Sequence, residues 1–64
     1  MTVAEKMKAV GIQGIAADAK VESSTAYRWF YALRDGNTVS DRAKHAIIAA
    51  TASSQYPITW SEFA

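Results

Sequence analysis

The 64-residue chain has no cysteine, so neither a disulfide nor a thiolate metal site can staple the fold, and the redox compartment is left open. It has no apolar run near the ~20 residues of a membrane span, and its N-terminus lacks the apolar core of a signal peptide. The expected setting is therefore intracellular and cytoplasmic, with no membrane partner. Histidine occurs once, at His45, with no acidic or thiol neighbour at ligand spacing, which makes it a surface or packing residue and not a metal ligand. There is no glycine-rich phosphate loop and no paired carboxylate site, so an enzyme is not expected and no cofactor is implied. A marked excess of either charge is lacking as well: seven Lys and Arg against six Asp and Glu leave a net +1. So small an excess does not by itself support nucleic-acid binding, whose non-specific part comes from phosphate neutralisation.

What the chain does have is apolar material. Half its residues are hydrophobic, enough for one small core and too many for general disorder. A single domain over 1–64 follows. Thr2 followed by Glu5 is a capping-box pattern, and Val3, Met7 and Val10 form the apolar stripe of a first helix that Gly11 ends. Lys6 and Lys8 point elsewhere, toward solvent or phosphate. A second helix begins near Ile12 or Gln13 and runs to about Ala19, with Ile15, Ala16 and Ala19 on its apolar side. Gln13, near its start, is either a phosphate ligand or an ordinary exposed glutamine.

The turn Ala19-Lys20-Val21-Glu22 leads to a third helix whose cap is Ser23 or Glu22. Ala26 and Trp29 give that helix its inward side, and Trp29 shares the core side with Leu33. Between the anchors, Ser23, Ser24, Tyr27 and Arg28 form an outward polar ring, with Thr25 nearer the backbone. Asp35-Gly36-Asn37 stops the helix. Helices paired through small residues, the second polar outside and pinned by an aromatic, follow the plan of a DNA-binding helix-turn-helix. Phe30 or Tyr31 must then face another surface, either a dimer interface or the underside of the C-terminal tail.

Ser40 caps a fourth helix, with Asp41 in its first turn and Ala43, Ile47 and Ala50 as its stripe, closing the core against the first helix. Arg42 and Lys44, near its start, either reach phosphates or are solvated. Thr51 to Gln55 is small and polar, a loop, and Pro57 keeps Tyr56 extended. Thr59 and Glu62 frame a last helical turn. Ile58, Trp60 and Phe63 are too apolar to dangle, so the tail folds back onto the domain or onto a second subunit.

Taken together, Ile15 to Val21, Ala26-Tyr27-Arg28-Trp29, Gly36 to Asp41, Ala46 to Thr51 and Ile58 to Phe63 resemble the small phage and prophage regulators of the Cro type, within the lambda-repressor-like group. The resemblance runs over nearly the whole length, and the departures are Lys20 in place of glycine and Ser40 where proline is common. It implies an all-α bundle of four to five short helices, operator binding to double-stranded DNA in a bacterial cell, and a homodimer, formed beforehand or only on DNA, on a near-palindromic site. The expected base contacts are Ser23, Ser24, Tyr27 and Arg28. The expected phosphate contacts are Gln13, Lys20, Thr25, Arg42 and Lys44. Phe30, Tyr31, Trp60 and Phe63 are the candidates for a dimer interface. The competing expectation is a small helical protein-interaction module, an antirepressor or antitoxin-like adaptor, drawing on the near-neutral charge and surplus aromatics.

Overall fold

Thr2 opens the first helix as its sequence demands. Its hydroxyl accepts a hydrogen bond from the Glu5 N–H at 3.1 Å, and the Glu5 carboxylate accepts one from the Thr2 N–H at 2.8 Å. Two otherwise orphaned donors are thereby satisfied. In the computed structural model, which describes residues 1–63, four α-helices follow one another: α1 (Val3–Val10), α2 (Ile12–Ala19), α3 (Ser23–Arg34) and α4 (Asp41–Thr51). A short 3-10 turn, Trp60–Phe63, comes last. No strand occurs among the described residues, and none of their helices is long and apolar enough to cross a membrane.

Gly11 alone joins α1 to α2. Its N–H donates to the Met7 carbonyl and its carbonyl accepts from the Ile15 N–H, so it ends one helix and begins the next. It does so at φ 109°, where a side chain would be strained. α3 ends in a Schellman motif: the Asn37 N–H donates to the Ala32 carbonyl at 2.8 Å and the Gly36 N–H to the Leu33 carbonyl at 3.2 Å, with Gly36 left-handed at φ 84°. Ser40 caps α4, its hydroxyl accepting from the Ala43 N–H.

The core is Val3 and Met7 of α1, Ile12, Ile15 and Ala16 of α2, Ala26 of α3, Ile47 of α4, and Ile58 from the tail. Trp29, Phe30, Leu33 and Phe63 pack around it as partly buried residues. The radius of gyration, 10.0 Å, is close to the ~11 Å of a closed domain this long. α2 is the central element, lying against α1, α3 and α4. α4 therefore closes the core chiefly against α2, not against α1 as its stripe suggests. An apolar stripe states which face is buried, and leaves open which helix covers it.

The tail folds back onto the domain, and a residue expected in a loop anchors it. Thr51 is the last residue of α4 and fully buried. Its hydroxyl donates to the Ile47 carbonyl at 2.9 Å and accepts from the Ile58 N–H at 3.1 Å. The tail's backbone is thus satisfied just where Ile58 enters the core, as burial requires. Farther on, the Glu62 carboxylate accepts from the Thr59 N–H at 2.8 Å and from the Lys6 ammonium of α1. Lys6 is accordingly neither solvated nor turned toward a phosphate.

This geometry sets a pH dependence. The hydrogen bond from Lys6, and next the one from the Thr59 N–H, hold the Glu62 carboxyl below its ordinary range; the Thr2 backbone and hydroxyl do the same for Glu5. A carboxyl with a lowered folded pKa contributes stability that is present above its unfolded pKa, and that stability disappears as pH falls through the folded value. Urea unfolding followed from pH 7 downward is expected to show a loss beginning below the ordinary glutamate pKa of ~4.3. Glu62→Gln should be less stable at neutral pH, and its acid loss should be shallower than that of the parent chain.

Candidate nucleic-acid interface

Three residues, Lys20-Val21-Glu22, separate α2 from α3, and hydrogen bonding defines the bend. The Val21 N–H donates to the Ala16 carbonyl at 3.0 Å and the Lys20 N–H to the Ala17 carbonyl at 3.2 Å, a second Schellman motif. Lys20 occupies its left-handed position, at φ 58° and ψ 43°, and is the one described non-glycine residue with positive φ. A lysine there costs roughly 1 kcal/mol relative to glycine. Lys20→Gly is therefore expected to raise stability by about that amount, measurable as an upward shift of the urea midpoint at unchanged slope. A stability unchanged or lowered would show that the lysine side chain holds the turn by a contact of its own.

Past the turn, α3 divides cleanly into two sides. Ala26 is fully buried, Trp29, Phe30 and Leu33 pack on the core, and Ala16 of α2 is buried nearby. The opposite side carries Ser24, Arg28 and Tyr31, at steps of four and three residues, all exposed. Ser23 is exposed at the helix start. Tyr27, expected in the outward ring, is half-buried and packs partly against the core, its ring 6.2 Å from that of Tyr31. Thr25 is half-buried on the flank toward Trp29. Glu22 stands at the cap position without a side-chain hydrogen bond to the helix, and Ser23 is the first helical residue.

Among the surface grooves beside α3, two gather candidate contact residues. The larger, about 650 Å³, lies against the start of α2 and brings Gln13 together with Tyr27, Tyr31, Lys8 and Arg34. The second, about 420 Å³, is walled by Trp29 and brings Lys20 of the turn together with Ser40 and Arg42 at the start of α4. Lys44 joins neither. It lies near Asp41 at 3.8 Å, and its ammonium sits 5.4 Å from the Trp60 ring and 5.8 Å from the Phe63 ring. With its side chain 16 % exposed, Lys44 belongs to the tail's docking surface.

The net +1 is the balance of four cations and three carboxylates (Glu5, Asp18 and Glu22) that make no ion pair among the described residues. Ion pairs take up Lys6 with Glu62, Arg34 with Asp35, and Lys44 with Asp41. Lys8, Lys20, Arg28 and Arg42 have no such partner among the described residues. One stands on the outer face of α3, and the other three line the grooves beside it.

The four interface candidates also separate. Phe30 and Phe63 are partly buried against the core. Trp60, 47 % exposed, stacks on His45 with ring centroids 4.9 Å apart, and Tyr31, equally exposed, sits on the outer face of α3. His45 is thus a packing partner of the tail. Sequence reasoning left Lys8 facing solvent or phosphate and missed Arg34; the packing of α1 against α3 brings the two to one groove. Comparison with family models, curated proteins and solved structures finds no match to this chain.

Proposed function

We propose that the chain is a sequence-specific double-stranded-DNA-binding regulator of Cro-like type, with α2, the turn and α3 as its helix-turn-helix. The observation that carries the proposal is the outer side of α3, where Ser24 and Arg28 are exposed, opposite the buried Ala26, and Arg28 has no acidic partner among the described residues. In the major groove, Arg28 supplies a two-pronged donor to guanine, and Ser23, Ser24 and Tyr27 supply hydroxyls to bases or nearby phosphates. Gln13 from one groove, Lys20 and Arg42 from the other, and Thr25 on the flank hold the phosphate backbone on either side and fix the register of α3. Two copies would address half-sites about one helical turn apart, ~34 Å. Regulation then follows from occupancy of the operator.

Of the interface candidates, Trp60 best suits self-association, since its ring stays exposed away from the α3 outer face. The same exposed indole favours the second function, a protein-interaction module without DNA affinity.

Fluorescence anisotropy on labelled duplexes of mixed sequence, titrated across salt, separates the two. Binding that weakens steeply with salt supports the regulator, because displaced counterions accompany each phosphate contact. Self- or hetero-association without duplex affinity at any salt would favour the interaction module. Lys20→Gly, expected to be the more stable protein, should bind duplex more weakly by a few-fold and with a shallower salt dependence.

A further inference from the structure

We propose, resting on the duplex-binding function above, that the groove between the start of α2 and the second half of α3 seats the phosphodiester backbone of the bound duplex, with Lys8, Tyr31 and Arg34 as contacts. Three observations converge on this groove. Its charged lining is basic: Lys8, which has no ion pair, and Arg34, which is paired with Asp35, line it, and no acidic side chain does among the described residues. Arg34 spends its Nε on Asp35 at 3.2 Å, and its terminal nitrogens make no hydrogen bond among the described residues. A polyanion is the partner whose charge this lining complements.

The aromatics give the groove its form. The Tyr31 ring leans on Phe30 at 5.4 Å and on Tyr27 at 6.2 Å, with the Arg34 guanidinium 4.8 Å from its centroid. With these neighbours at its ring, the exposed Tyr31 offers its hydroxyl as a donor to a phosphate oxygen, and the guanidinium lies beside it. Tyr31 also shares its face with Ser24 and Arg28. It therefore belongs to the duplex-facing side, not to a self-association surface.

Gly14 is the third observation. It lies in the first turn of α2 and lines the same groove, and a Cβ built there meets nothing within 4 Å. Glycine weakens a helix relative to alanine, and no neighbour among the described residues needs the missing side chain. An external backbone approaching closely does need that space.

Binding of the whole protein to a specific and a scrambled duplex, each across salt, tests the proposal. Lys8→Ala and Arg34→Ala should weaken both duplexes alike, and each should make the log–log salt slope shallower by about 1. Tyr31→Phe should lose a few-fold on both duplexes, while Tyr31→Ala leaves self-association by sedimentation equilibrium unchanged. Gly14→Leu should melt no lower than the parent and yet bind at least tenfold more weakly. Slopes unchanged in both cationic variants, or self-association lost in Tyr31→Ala, would overturn the groove's role while leaving duplex binding by α3 intact. A parent protein that binds neither duplex at low salt would overturn the duplex-binding function itself, and the groove's role with it.

Discussion

Ile15→Ala is expected to leave a large fraction of the protein unfolded under conditions where the parent chain is folded. Ile15 is fully buried at the centre of α2, the helix that touches α1, α3 and α4. Removing its outer carbons forfeits their transfer free energy and leaves a cavity, together about 3–4 kcal/mol for an isoleucine in a rigid site. A core this small rarely supplies more than ~3–5 kcal/mol of net stability. The substitution therefore consumes most of the margin, whereas Ile15→Val should cost only about 1 kcal/mol. Urea denaturation followed by helix circular dichroism measures both. An alanine variant within ~1 kcal/mol of the parent would mean that α2 is not the element on which the core closes.

Arg28→Ala is expected to cut affinity for the preferred duplex roughly 5- to 150-fold, the equivalent of ~1–3 kcal/mol for a two-pronged contact to one base pair. Stability should scarcely change, because Arg28 is exposed and makes no ion pair among the described residues. The loss should be smaller on duplexes of unrelated sequence, where arginine contributes only its charge. Arg28→Lys should recover the charge and little of the discrimination, since an ammonium cannot form the paired hydrogen bonds of a guanidinium. Equal losses on all sequences would make Arg28 a phosphate contact and shift base reading to Ser24 and its neighbours.

Helix positions were legible from the sequence because their ends are written in short-range chemistry. Thr2 with Glu5, Ser40 before Asp41, and Gly36-Asn37 all act within a few residues, and all three ends lie where those signals put them. The left-handed Lys20 was legible only through the resemblance, in which glycine stands at that position. Long-range partners were not. The stripe on α4 gave no sign that α2 would cover it. Thr51 looked like part of a polar loop because the donor its hydroxyl satisfies belongs to Ile58, beyond a segment of irregular backbone. Lys6 finds Glu62 across 56 residues, and Lys44 finds Trp60 and Phe63 only because the tail returns to α4. Among Phe30, Tyr31 and Trp29, the residue left outside depends on where α1 lies against α3, which local periodicity does not encode.

The central claim is that the outer side of α3 reads base sequence, and selection of bound duplexes from a random pool tests it most directly. The parent protein and Arg28→Ala would be run in parallel at moderate salt. The account predicts an enriched site, near-palindromic if two copies bind together, that loses its preference at one base position per half-site in the variant. No enrichment by the parent at any salt would contradict the account, and the exposed Trp60 would then mark the surface on which this protein acts.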